Sequence, residues 1–314
     1  MITVVAAGVF ACGSSGPTSP SPLPPEAAAL APPQPSGAVP PVSAAGAVTA
    51  TLVGAGDLSQ CGLEGVVLTG RLMESMLGRG DVTAITLGDN SNDDGSQQKY
   101  ECFDRWWGQF RNVLYPVPGN HDYEAEGANA YYYRYFPNAG PRGLGYYSYN
   151  RGNWHIVALN SELEESARPA QLSWLDGDLK QYQTSCTLAY FHRPLFSSGQ
   201  FAAARMKRIW DVLYRNGIDV VLNGHEHFYA AFPQLRPDGS LDPQFGIRQI
   251  IAGTGGARLF AAPMATMGER VIGGTWGLLR MTLRPGGYSW DFVSIDGSVL
   301  DHGDQQCHAA PPAI

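Results

Sequence analysis

Short apolar runs that stop at glycine or a polar residue recur along this chain, and stretches with apolar residues three and four apart separate them. Residues 48–57 read as a strand ending in Gly56-Asp57. Residues 63–77 then place Val66, Val67, Met73, Met76 and Leu77 at helical spacing. Residues 82–87 form a second strand, which stops at Gly88-Asp89. Residues 100–112 read as an amphipathic helix whose Phe103, Trp106, Trp107 and Phe110 belong to the core, and residues 113–117 are a strand ahead of Pro118-Gly119-Asn120-His121. The tyrosine-rich stretches 131–136 and 146–149 precede a buried strand over 154–160. His155 lies inside that strand and not at its end, which makes it structural. Helices over 169–182 and 202–215 each feed a further strand, the first ending in His192 and the second in Asn223-Gly224-His225-Glu226-His227. Beyond this the pattern turns to β, over 228–232, 246–252, 275–283 and 288–295. Alternating β and α followed by a run of strands predicts an α/β architecture of packed sheets with flanking helices.

Composition bounds this picture without changing it. At 314 residues and 44% hydrophobic content the chain holds one large α/β domain or two small ones. A net charge of −7, with no basic stripe interleaved with aromatics, argues against nucleic acid as a partner and against a polybasic membrane patch. Residues 1–12 are small and apolar and end in Val9-Phe10-Ala11-Cys12, similar to a bacterial lipoprotein signal with Cys12 as the acylated residue, although no Lys or Arg precedes Arg71. This apolar segment is far short of the roughly 20 residues that cross a bilayer. Residues 13–46 hold ten of the 23 prolines and a single charge, Glu26, a composition that cannot bury enough apolar surface to offset chain entropy. The expected organisation is a signal segment over 1–12, a Pro/Ser/Ala-rich tether over 13–46, a catalytic domain over 47–308 and a tail over 309–314. An exported domain with Cys61, Cys102, Cys186 and Cys307 predicts two disulfides. Three connectivities are open, of which Cys61 with Cys102 and Cys186 with Cys307 is preferred.

The candidate chemistry sits at the strand ends. A lone Gly-Asp is usually a turn and a lone buried histidine usually a bonded core residue, so each feature is ordinary by itself. Together they supply carboxylate, amide and imidazole donors, a mixture that suits a transition metal. Asp57, Asp89, Asn120, His192 and the His225-x-His227 pair, in this order and spacing, resemble the calcineurin-like metallophosphoesterase superfamily and within it a purple-acid-phosphatase-like branch. The resemblance runs from about residue 48 to 308.

That resemblance implies two mixed β-sheets packed as a sandwich and flanked by helices in four layers. It also implies two transition-metal ions, with Asp89 as the bridging carboxylate, Asp57 and His227 completing the first site, and Asn120, His192 and His225 completing the second. His121 takes the place of the general acid that protonates the leaving alkoxide, and a metal-bound hydroxide attacks in line. The expected activity is that of an exported, monomeric phosphomonoesterase acting on a small phosphorylated substrate, its membrane contact a lipid anchor at Cys12. A phosphodiesterase or nucleotidase with the same metals is the alternative, and a catalytically inactive surface-binding protein the alternative from another class. Tyr123, Arg193 and Phe196 are candidates to line the cleft. The chain departs from the branch at Asn92, where purple acid phosphatases carry a tyrosinate that binds Fe(III), and at Ser59, where other branches carry histidine. A neutral amide does not favour a trivalent ion, so the expectation is two divalent ions, Fe, Zn or Mn.

Overall fold

The computed structural model describes residues 49–78, 81–182 and 186–311. The signal-like segment and the tether expected over 1–46 lie outside the described residues. The first half of the chain runs β1 (Ala50–Ala55), α1 (Gly65–Leu77), β2 (Val82–Leu87), α2 (Gln97–Trp107), β3 (Leu114–Val117), α3 (Ala128–Tyr135), β4 (Tyr147–Arg151), β5 (Trp154–Ala158) and α4 (Arg168–Gln181). The second half runs β6 (Cys186–Tyr190), α5 (Lys207–Arg215), β7 (Val220–Asn223), β8 (Tyr229–Leu235), β9 (Ile247–Ala252), β10 (Arg270–Ile272), β11 (Gly277–Arg284), β12 (Gly287–Ser294) and β13 (Val299–Gln306).

One sheet has the order β13-β12-β11-β1-β2-β3 and the other β10-β8-β9-β7-β6-β5-β4. Pairing is parallel along β1-β2-β3 and along β5-β6-β7-β9, and antiparallel elsewhere, so both sheets are mixed. Leu52, Ile85, Met281 and Phe292 from the first sheet share one buried cluster with Ile156, Leu188, Leu222 and Ile250 from the second. The sheets therefore pack face to face. On the outer face of the first sheet, Val53, Ala84 and Val293 meet Met73 of α1, Phe103 and Trp107 of α2 and Tyr132 of α3. On the outer face of the second, Val157, Ala189 and Val221 meet Leu175 of α4 and Trp210 of α5. Helix, sheet, sheet and helix make the four layers expected.

The departures from pattern have local causes. α5 starts later than residue 202 because the backbone N–H of Ala203 bonds Pro194 O at 2.9 Å, and a short 3₁₀ turn over Ala204–Met206 intervenes. Residues 131–135 of the tyrosine-rich stretch, to which periodicity assigned no element, lie in α3, held by Tyr100, Phe103 and Phe136 against tyrosine's preference for strands. Pro116 sits inside β3, which is tolerated because β3 is an edge strand.

The disulfides join Cys61 to Cys102, beside the loop after β1, and Cys186, which opens β6, to Cys307 just past β13. The second ties one sheet to the other. Reduction is expected to destabilise the fold by about 2–5 kcal/mol per bridge. The 121-residue separation of the second should make its loss the larger by about 1 kcal/mol on loop entropy alone. Chemical unfolding with and without reductant measures this, and superimposable curves would contradict it.

Candidate metal centre

All five chemistry-bearing loops follow the C-terminal ends of parallel strands, β1, β2 and β3 of one sheet and β6 and β7 of the other, where crevices between strands receive ligands. Glycines bring them close. A Cβ at Gly119 would collide with Asp89 Oδ1, and one at Gly224 would lie 2.8 Å from Asp57 Oδ2. The backbone is strained where the ligands stand. Asp57, Asp89 and His225, with φ of 57°, 50° and 71°, are the non-glycine residues with positive φ among the described residues, and all three belong to the expected ligand set.

The side chains form two linked groups. In one, Asp89 Oδ2 lies 3.2 Å from His192 Nε2, which lies 3.1 Å from His225 Nδ1. In the other, Asp57 Oδ1 lies 3.2 Å from His227 Nε2. His225 N donates to Asp57 Oδ2 at 2.8 Å and joins the two. The far nitrogens are fixed: His192 Nδ1 donates to Leu87 O at 2.9 Å and His227 Nδ1 to Arg258 O at 2.6 Å, so each turns its Nε2 inward. Asp57 Oδ1, Asn92 Oδ1 and Asn120 Oδ1 are buried acceptors that no hydrogen bond satisfies. Convergent lone pairs and orphaned oxygens are what a cation-holding site requires, so the residues present fit a dinuclear centre.

Charges sort accordingly. Burial opposes protonation of His192, but the Asp89 carboxylate bonded to it, with Asp57 behind, lifts it to about 10. Burial likewise raises the Asp57 carboxyl, and His227, His192 and His225 outweigh it and hold the group at about 2. Burial, with His192 and Arg193 close by, pushes His225 down to about 2, and Arg193 Nη1 donates to its Nε2 at 2.9 Å.

His121 stands at the rim. Its backbone N donates to Asp89 Oδ1 at 2.9 Å, its Nδ1 faces Glu124 Oε1 at 2.9 Å and Asp93 O at 3.1 Å, and its Nε2 is 4.0 Å from Asp89 Oδ2. Burial would lower its pKa, and Asp89 and Glu124 raise it above the usual imidazole value.

Three residues essential to this arrangement escaped pattern reading. Asp122, fully buried, accepts from Asn90 N at 3.1 Å, Asn90 Nδ2 at 3.0 Å, Ser91 N at 3.1 Å, Gly119 N at 2.9 Å and Tyr100 Oη at 2.6 Å. It thereby clamps the loop after β2 to the loop after β3. Glu124 fixes the His121 ring. Glu226 accepts from Ser197 Oγ at 2.6 Å and Phe201 N at 2.8 Å, which holds residues 197–201 over the site with the Phe201 ring 5.3 Å from that of His225.

The remaining candidates divide. Arg193 lines the cleft, whereas Tyr123 hydrogen-bonds Tyr133 Oη at 2.6 Å in the interior and Phe196 packs on Trp210. His155 is buried between Asp178 Oδ2 at 2.7 Å and Asn150 Oδ1 at 2.8 Å, a structural residue. Cys186, Asp219 and Cys307 also cluster, but both thiols are spent in a disulfide.

This chain is similar to purple acid phosphatase 15 of Arabidopsis thaliana, 33% identical over 176 residues that cover 49% of this chain and 33% of that protein. It is 28% identical over 123 residues to a 3′,5′-cyclic-nucleotide phosphodiesterase of Nostoc sp., covering 38% of this chain and 44% of that one. The match thus spans between a third and a half of these relatives. Among solved structures, a purple acid phosphatase from yellow lupin (Lupinus luteus) seeds shares the fold, with a TM-score of 0.71 at 15% identity over 90% of this chain and 58% of that one. Residues 55–229, more than half of the chain, match the family model described as calcineurin-like phosphoesterase, and with the fold and the ordered strand-end residues this places the chain in the calcineurin-like phosphoesterase family.

Proposed function

We propose that this chain is an exported, monomeric, dinuclear-metal phosphomonoesterase. The observation that carries the reading is the convergence of Asp89 Oδ2, His192 Nε2 and His225 Nδ1 beside the Asp57–His227 pair. Asp57, Asp89 and His227 would hold one ion, and Asp89, Asn120, His192 and His225 the other. Two divalent ions there supply Lewis-acid neutralisation of phosphoryl oxygens and acidify water. The chain's own residues do the rest. Asp89 spans the two positions, and its Oδ1 bond to His121 N sets the rim histidine in register with them. Glu124 and Asp93 O keep the His121 ring from turning, so Nε2 holds a proton where a departing alkoxide oxygen can take it. Export is supported by the two disulfides, which persist in oxidising compartments, and by the lipobox-like Val9-Phe10-Ala11-Cys12.

His121→Asn is expected to lower kcat by about 10²–10⁴-fold on an alkyl phosphate and much less on p-nitrophenyl phosphate, whose leaving group needs little protonation, with metal content unchanged. Equal losses on both substrates would remove His121 from the acid role. The similarity to a cyclic-nucleotide phosphodiesterase favours a second reading, phosphodiester hydrolysis at the same centre. Comparing p-nitrophenyl phosphate with its bis ester decides between the two.

The ions are divalent on this proposal. Asn92 offers only a neutral oxygen, and the Tyr123 hydroxyl is engaged by Tyr133 Oη at 2.6 Å. The purified enzyme should be colourless, and the apoenzyme should regain activity with Mn²⁺, Zn²⁺ or Fe²⁺. A visible charge-transfer band in the wild-type protein would overturn this assignment.

A further inference from the structure

Beside His225 opens a cavity of about 370 Å³ whose wall includes Arg193, Gln200, Phe201 and Arg205. A second cavity of about 290 Å³ shares Arg205 with it and continues past Arg168 and Arg208. Four guanidiniums line this path, and two carboxylates serve them. Glu162 accepts from Arg193 Nε at 2.9 Å and from Arg205 Nη2 at 3.3 Å. Glu165 pairs with Arg168 and, at 3.4 Å, with Arg208. Lys207, also on the wall, pairs with Asp211 at 2.7 Å, so the path carries two positive charges in excess, on a chain whose net charge is −7. The Arg193–Glu162 pair is largely buried, but Arg205, Arg208 and Glu165 are exposed, and there like charges held together repel while exposed ion pairs stabilise little. The path also begins at a candidate metal ligand, because Arg193 Nη1 donates to His225 Nε2 at 2.9 Å.

We propose that this arginine path is a subsite for a second phosphate on the substrate, so that the preferred substrates are esters carrying two phosphate groups; this rests on the phosphoesterase reading above. The scissile phosphate sits at the strand-end centre and the other group lies along Arg193, Arg205 and Arg208. Charge selects phosphate over carboxylate: a phosphate monoester carries about two negative charges at neutral pH, which matches the excess, whereas a carboxylate carries one. Guanidinium forks also match phosphate oxygens in geometry. Phe201 stands at the near end, its ring 5.3 Å from that of His225.

The test compares fructose 1,6-bisphosphate with fructose 6-phosphate on the metal-loaded protein. The ratio of kcat/KM values should favour the bisphosphate by about tenfold to a hundredfold, carried in KM and shrinking as salt rises. Arg205→Gln, and separately the exposed Arg208→Gln, should bring the ratio towards one. A wild-type ratio near one, or a ratio that survives both substitutions, overturns the subsite. Hydrolysis of neither ester would sink the phosphoesterase reading instead. Calorimetric binding of fructose 1,6-bisphosphate then still decides the subsite: a Kd about tenfold weaker in Arg205→Gln supports it, and equal affinities reject it.

Discussion

Asp89→Ala is expected to abolish binding of both metal ions and to lower phosphatase activity by far more than a hundredfold. The size follows from comparison. Removing a group that merely orients a ligand costs about 10–100-fold in metal affinity or activity, and on the proposed assignment Asp89 would serve both positions. Its Oδ2 faces His192, its Oδ1 holds the His121 backbone, and its own backbone sits at φ 50°, so nothing nearby substitutes for it. His227→Ala removes a residue of one group only and should weaken one ion while leaving the other. Elemental analysis of the two variants, with circular dichroism to show that both fold, reads the difference. Retention of two ions by Asp89→Ala would dismiss it as the shared ligand.

Asp122→Ala should cost about 3–5 kcal/mol of stability and scatter the centre without deleting any ligand. Five donors from three segments converge on this one buried carboxylate, and alanine leaves four of them without an acceptor, Asn90 Nδ2 keeping only Val117 O at 3.1 Å. Burial and the Asp89 charge push its carboxyl upward, yet the donors hold it in place as the link between the loops that present Asp89 and Asn120. Asp122→Asn keeps one acceptor oxygen but turns an amide N–H towards donors, so an intermediate loss is expected. The readouts are the thermal midpoint and metal affinity. A variant that melts like the wild type with full metal content would show that the loops hold themselves.

These two residues mark how far the sequence could be read. Asp89 announces itself because an apolar run, a glycine and a carboxylate follow one another, and because four other strand ends present carboxylate, amide or imidazole donors in order. The strands β1, β2, β3, β6 and β7 that precede the candidate ligands were legible for the same reason, each being a buried parallel strand with a largely apolar run. Asp122 stands within the same motif, but its partners Tyr100 and Asn90 are 22 and 32 residues away, and no local pattern states that they meet. Glu226 is similar, because its work is done on Ser197 and Phe201 from another loop. β13 was missed for a different cause. Its Asp301, His302, Gly303 and Asp304 have poor strand propensity, and it forms because it lies at the sheet edge, where charged residues are tolerated and β12 supplies the pairing. The arginine path is invisible in the sequence, since Arg168, Arg193, Arg205 and Arg208 come from two helical regions and a strand-end loop and acquire a common sign only in space.

Asp57, Asp89, Asn120, His192, His225 and His227 are proposed to build a two-ion centre. Elemental analysis of folded, active protein, before and after dialysis against a chelator, tests it most directly. Two transition-metal ions per chain are expected, with loss of phosphatase activity as they leave and its return when Mn²⁺, Zn²⁺ or Fe²⁺ is restored. Folded protein that hydrolyses phosphate esters with no bound metal, and is indifferent to the chelator, would contradict it.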